Sequence, residues 1–221
     1  MAGSTPPPSQ GNWGGAPGQP GPGPGQPVAP GGFQVKPVEA GPAPGIAYAD
    51  LGMRIGAYVI DAIGLSVVYF VVAAILSGVL LGSLFTVGIA MLFIVVVILG
   101  ALYLVGSAVY FVYTWTTMRA SLGQKMLGLE TVNAGNGATL TQQQAIRRWA
   151  FLFGPQAIVT VLQIGSSWFV YAFGLMGVIS LLLSLAGLAY TIYLLYTTSQ
   201  SSKRQGFHDV QAGTVVIKRV A

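Results

Sequence analysis

The sequence predicts an all-α membrane protein, a bundle of four transmembrane helices with a small cytoplasmic β element and a disordered Pro/Gly-rich N-terminal tail. The 221 residues are 53% hydrophobic and only 7% charged, whereas a soluble domain usually carries about 25% charged residues. Residues 55–117 contain a single charge, and residues 149–198 contain none. Twelve of the 13 prolines precede Ile46.

Residues 1–47 differ in composition from the remainder of the chain. Proline removes backbone donors, glycine adds backbone entropy, and large apolar side chains are few, so this segment cannot form a core. We expect a disordered tail that is either a solubilising spacer or a recognition arm for a protein partner. Its start is neither basic nor followed by an early apolar run, so we do not expect a signal peptide.

The apolar stretches are too long for one crossing each. A helix over residues 55–117 would be roughly 95 Å long, whereas the hydrocarbon core is about 30 Å thick. Turns are therefore predicted at Gly82-Ser83 and at residues 165–167, and Pro155 predicts a kink or a late start in the third helix. The transmembrane domain, residues 48–220, then has spans near 52–80, 86–114, 146–164 and 168–197 and a cytoplasmic loop at 117–145.

Charge sets the expected orientation. Residues 118–148 hold four basic residues and one acid, and the C-terminal segment holds four more basic residues, whereas both predicted turns carry no charge. Positive charge stays on the cytoplasmic side of a membrane. We therefore expect a multi-pass protein of the inner cell membrane with both termini in the cytoplasm.

The loop and the C-terminus contain short structural signals. Alternating runs on either side of Asn133–Gly137 predict a β-hairpin. Thr141 and Gln144 have the spacing of a capping box, which predicts a helix start. The segment "GTVVIKRV" predicts a strand that pairs with the hairpin in a small sheet.

Arg54 and Asp61 share one face of the first predicted helix, about 10.5 Å apart along its axis. Arg54 can reach the headgroups, but Asp61 lies within the hydrocarbon region and must face the bundle. Three alternatives remain open. Asp61 is a structural acceptor for Arg147 or Arg148, a proton or cation site in a transport path, or an incidental protonated carboxyl.

Three segments together resemble the RDD family of integral membrane proteins. They are "RIGAYVIDAIGL", "SLGQKMLGLETVNAGNGATLTQQQAIRRW" and "GFHDVQAGTVVIKR", in the family's order over about residues 48–220. The resemblance implies that the name-giving arginine and aspartates are Arg54, Asp61 and Asp209. It also implies a role in transport of unidentified ligands, with sodium/proton antiport proposed for some members. Gln124-Lys125 departs from the two basic residues expected there, which weakens the case for a specific anionic ligand at the loop.

The tail followed by such a domain is also similar to the proline-rich antigens of mycobacteria, which suggests a protein of actinobacterial type. In the C-terminal motif, His208 and Asp209 could relay protons at the inner surface. Alternatively, Asp209 ties the C-terminal strand to Arg54 or to the loop arginines, and His208 lies in that interface. The supporting residues of the polar site are Arg147, Arg148, Lys125 and His208.

Two classes of function remain from the sequence. One is a transporter of an ion or small ligand, with Asp61 as the titrating site and Arg54 and Asp209 as the inner gate. Because four spans are few for a transporter, this version predicts a homo-oligomer. The other is a non-catalytic membrane scaffold whose tail binds a partner. We expect no enzyme activity, because one histidine and no cysteine give no credible catalytic constellation. We likewise expect no cofactor, metal site or nucleic-acid partner. The expected partner of the transmembrane domain is the lipid bilayer.

Overall fold

The computed structural model describes residues 41–87, 89–173 and 176–219, and side chains outside 79–93 and 164–176. Four long helices dominate it, joined by two short helices and a three-stranded sheet. The helices are α1 (Leu51–Val87), α2 (Ile89–Thr117), α3 (Leu122–Met126), α4 (Gln142–Phe173), α5 (Met176–Gln200) and α6 (Phe207–Ala212); the strands are β1 (Ile46–Tyr48), β2 (Leu129–Asn133) and β3 (Thr214–Arg219).

Three of these helices are long and apolar enough to cross a membrane. The apolar stretches are Leu51–Gly78 in α1, Ile94–Thr117 in α2 and Gly177–Gln200 in α5. The predicted helical membrane fold with a small β element is therefore confirmed at this level. Helix α4 does not meet the same criterion within the described residues. The predicted disordered tail falls almost wholly on residues 1–40, which lie outside the described residues.

The chain is helical at both positions where the sequence predicts a turn. The backbone is helical through Gly82-Ser83, and α1 ends at Val87. It is also helical through residues 165–167, and α4 ends at Phe173. Both predicted turn positions are wrong. In a lipid medium a glycine or serine stays helical, because leaving the helix exposes backbone groups that no water can satisfy.

Helix α4 begins where its cap predicts. The amide of Gln144 donates to Oγ1 of Thr141 at 3.2 Å, and the amide of Thr141 donates to Oε1 of Gln144 at 3.1 Å. This reciprocal pair is the predicted capping box. The helix then continues through Pro155, so the predicted late start is wrong.

The sheet combines three distant segments in the order β1-β3-β2, with both pairs antiparallel. The C-terminal strand does pair with the loop strand, as expected. The predicted hairpin is wrong, since β2 ends in a tight turn at Asn133, where the amide of Gly137 donates to its carbonyl at 2.8 Å. Strand β3 pairs with β2 in place of a second hairpin strand, because Val215, Val216 and Ile217 are almost completely buried there. Strand β1 includes two residues assigned to the tail.

Helix α3 packs directly on the first helix of the bundle. A Cβ added to Gly123 would overlap the carbonyl oxygen of Ala57 and lie 3.1 Å from Cγ of Asp61. Ser121 caps α3 in a reciprocal capping box with Gln124. Oε1 of Gln124 also accepts from Nε1 of Trp115 at 3.2 Å and from Oγ1 of Thr131 at 3.0 Å. Gln124 is therefore a buried residue with a structural role.

We expect Gly123→Ala to destabilise the protein by about 1–3 kcal/mol, because the added methyl group forces α3 away from α1. Thermal unfolding in detergent measures the loss. The matched control is Gly106→Ala, because nothing lies within 4 Å of a Cβ at Gly106. Equal melting temperatures for the two variants would contradict the close approach.

Candidate functional site

The carboxylate of Asp209, in α6, is fully buried between two arginines from different long helices. Nη1 of Arg54, in α1, donates to Oδ2 at 2.7 Å. Nη1 of Arg148, in α4, donates to Oδ1. Thr214 donates to Oδ1 at 3.2 Å, and the amide of Gly206 donates to Oδ2 at 3.3 Å. We call Arg54, Arg148 and Asp209 the arginine–aspartate clamp.

The clamp also holds the sheet against the bundle. Arg54 donates from Nε to the carbonyl of Ala49 and from Nη2 to the carbonyl of Val216, both at 3.2 Å. Arg148 donates to Oγ1 of Thr214 at 2.8 Å. Its guanidinium carbon lies 4.9 Å from the ring centre of Trp115, in cation–π geometry. The clamp therefore joins α1, α4, α6 and β3 at one end of the bundle, which we call the sheet end.

Burial and charge act in opposite directions on Asp209. Burial alone would raise the pKa of its carboxyl, but Arg148, His208 and Arg54 outweigh burial and hold that pKa well below its usual range. Burial lowers the pKa of the neighbouring His208 to about 4. Its Nε2 lies 3.6 Å from Oδ1 of Asp209. At neutral pH Asp209 is therefore ionised, and His208 beside the clamp is neutral.

Asp61 forms a separate site with different partners. It is only 4% exposed, and its carboxylate accepts hydrogen bonds from three donors. The hydroxyl of Tyr110 and the amide of Gly123 donate to Oδ1, each at 2.7 Å, and the hydroxyl of Ser121 donates to Oδ2. These donors come from α2 and from the segment that begins α3.

The predicted pairing of Asp61 with Arg147 or Arg148 is wrong, because neither arginine is its partner. Arg148 binds Asp209, and Arg147 is exposed on α4. Asp61 lies two helical turns further along α1 than Arg54, and α3 covers it. Its partners therefore come from α2 and α3. The Arg54–Asp209 contact that the sequence allowed is present. Lys125 is exposed on α3 and lies outside both sites.

Sequence reasoning missed the three donors of Asp61. Ser121 and Gln124 have capping-box spacing, the signal that located the start of α4, and it would have predicted a short helix here. No local signal indicates that this cap contacts a residue 60 positions earlier. Tyr110 lies 49 residues after Asp61, and its hydroxyl donates to that carboxylate.

A cavity of about 350 Å³ lies between the two sites. Residues of both sites contribute to its polar lining, and its walls are mostly apolar side chains of α1, α4 and α5. The polar lining residues include Arg54, Asp61, Gln124, Arg148, Gln156 and His208. Within the described residues, no group of three or more His, Asp or Glu side chains could hold a metal ion. The arrangement offers a small, mostly apolar chamber with one acid, Asp61, that contacts no arginine among the described residues.

We expect Asp209→Asn to destabilise the protein by about 3–5 kcal/mol, because it leaves two buried guanidinium groups without a counter-charge. Chemical or thermal unfolding in detergent measures the change. Asp50→Asn is the matched control, because the side chain of Asp50 is 63% exposed and 3.8 Å from Arg204; it should cost about 1 kcal/mol or less. A small loss for Asp209→Asn would show that the clamp does not stabilise the fold.

His208 gives a pH dependence with a defined sign. Its folded-state pKa of about 4 lies below the ordinary value of 6.5, so the unfolded chain binds the proton more readily and stability falls as the pH drops below 6.5. From pH 7 to pH 5 the loss should be about 2 kcal/mol. Since this is the only histidine, His208→Gln should flatten the melting temperature over that range. An unchanged slope in the variant would assign the pH dependence to another group.

Comparison with known proteins shows that the segment containing both sites matches one protein family. The model of the RDD family matches residues 48–213, more than half of the chain. No curated protein and no solved structure shows significant similarity to it. The matched range contains Arg54 and Asp209 of the clamp as well as Asp61. The chain therefore belongs to the RDD family.

Proposed function

We propose that this protein transports an ion or a small ligand across the membrane, with Asp61 as the group that takes up and releases a proton. One observation carries the proposal. Asp61 is buried on the wall of the 350 Å³ cavity and is held by hydroxyl groups and an amide, with no arginine in contact among the described residues. The proposal includes four spans, a homo-oligomer and no enzyme activity.

The sheet supports a fourth span by parity. Strand β1 precedes α1, β2 lies between α2 and α4, and β3 follows α5, so one sheet collects three chain segments on one side of the membrane. An even number of crossings must then separate β2 from β3. Helix α5 is apolar enough to cross. The proposal therefore has α4 cross too, although its glutamines and arginines lower its hydropathy.

The distribution of charge supports a cytoplasmic location for the sheet end. Basic side chains cluster there, on the loop and on the C-terminal segment, and positive charge stays inside. They are Arg119, Lys125, Arg147, Lys203, Arg204, Lys218 and Arg219. On this basis the proposal places the protein in the inner cell membrane with both termini in the cytoplasm.

The two buried aspartates suit different tasks. Asp209 is held ionised by two guanidinium groups, which cannot lose their protons in a protein. The hydroxyl of Ser121 can reverse, because a hydroxyl both donates and accepts. A proton on Oδ2 of Asp61 could therefore donate to Oγ of Ser121 while Oδ1 keeps its two donors. Asp61 can gain or lose a proton without breaking the contact between α1 and α3.

Asp61→Asn tests the proposal in proteoliposomes that contain a pH-sensitive dye. The asparagine can mimic the protonated acid, since its Oδ1 keeps Gly123 and Tyr110 and its Nδ2 donates to Ser121. We expect a folded protein whose cation-driven or ligand-driven pH change falls at least tenfold. Asp50→Asn is the matched control and should transport as the wild type does.

Two results would contradict the proposal. One is a folded Asp61→Asn variant that retains the wild-type pH change. The other is a wild type that carries no ion in a screen of common cations and small anions. The second result would favour the alternative of a non-catalytic scaffold, for which residues 1–45 used as bait should then capture a specific partner.

A further inference from the structure

The arginine–aspartate clamp carries one positive charge more than its own carboxylate can balance. Arg54 and Arg148 share the single carboxylate of Asp209, and neighbouring His208 is neutral near pH 7. The other acids of the described residues have different partners. Asp50 faces Arg204, Glu130 pairs with Arg119 and Arg219, and Asp61 is held by Tyr110, Ser121 and Gly123.

Two polar atoms at this end of the cavity lack partners. Within the described residues, Nε of Arg148 and Nδ1 of His208 are buried without a hydrogen-bond partner. Both residues line the cavity, and each is less than a tenth exposed. A buried guanidinium N–H without an acceptor costs free energy. The unsatisfied N–H of Arg148 and the excess positive charge together favour an anion at this end of the cavity.

The same cavity reaches the lipid-facing surface of the bundle. Ile55 and Tyr58 of α1 and Leu195 of α5 line it, and they are 41%, 49% and 38% exposed. The opening between α1 and α5 is therefore apolar, and the charged clamp lies behind it. A soluble anion would have to pass this apolar opening, whereas a lipid already has its apolar part there.

We propose that the clamp end of the cavity binds the headgroup of an anionic phospholipid whose acyl chains leave between α1 and α5 into the bilayer. Arginine recognises phosphate oxygens through paired donors, and basic pockets between transmembrane helices bind such headgroups. The cavity volume of about 350 Å³ leaves space for a headgroup, and the acyl chains stay outside the cavity. The inference goes beyond the proposed function, because lipid binds at equilibrium whether or not a solute is carried.

Native mass spectrometry of the full chain, delipidated in neutral detergent, tests the site. The probes are phosphatidylglycerol and phosphatidylcholine with identical acyl chains. We expect one phosphatidylglycerol per chain, bound at least tenfold more tightly than phosphatidylcholine. Leu195→Trp fills the opening without touching the clamp and should weaken phosphatidylglycerol binding at least tenfold. Ile192→Trp is the matched control, because Ile192 is exposed on α5 outside the cavity, and it should bind as the wild type does.

Ile55→Trp closes the opening from the α1 side and should reproduce the loss, which guards against misfolding of one variant. Equal retention of the two lipids by the wild type would overturn the proposal, as would wild-type binding by both folded tryptophan variants. Glycerol 3-phosphate supplies the same phosphate without chains and should displace the lipid only in large excess. Displacement at equal concentration would show that the site takes a soluble phosphate and would overturn the lipid assignment.

Discussion

The buried carboxylate of Asp209 is the group on which the sheet end of this protein depends. A carboxylate removed from water is stable only when it is paired and hydrogen-bonded, and its partners here are 155 and 61 residues away in the chain. Satisfying that one charge fixes α1, α4, α6 and β3 relative to one another. The three-stranded sheet and the ends of the long helices then have one compatible arrangement.

The protein handles two buried aspartates in two ways. Asp209 is neutralised by charge, which makes it rigid and keeps it ionised. Asp61 is satisfied by hydroxyl and amide donors, which orient it without supplying a counter-charge. The contact between α1 and α3 that holds Asp61 requires Gly123, since a side chain there would overlap the backbone of α1. A glycine and a cap at the start of α3 thus form one site with an acid of α1.

Between these two sites the packing is incomplete, and this incompleteness gives the bundle a chamber. The clamp draws α1 and α4 together at the sheet end, and α3 covers Asp61 from the side of α2. Helix α5 completes the wall without closing against α1, where Ile55 and Leu195 remain exposed. Both proposals arise from this geometry. A chamber with an acid at one end and surplus positive charge at the other suits a proton-exchanging group and an anionic headgroup.

The sequence by itself determined that the long helices of this protein belong in a lipid bilayer. Long uncharged runs require lipid, and clustered arginines and lysines mark one end of the bundle. The Thr141–Gln144 cap located the start of α4. These signals could be read from the sequence because they are local. The tertiary structure decided the partners of Asp61, the exchange of β3 for the predicted hairpin strand, and the helical path through Gly82-Ser83. Contacts such as Asp61 with Ser121 join residues 60 positions apart. They depend on how whole helices pack, and local spacing carries no information about that.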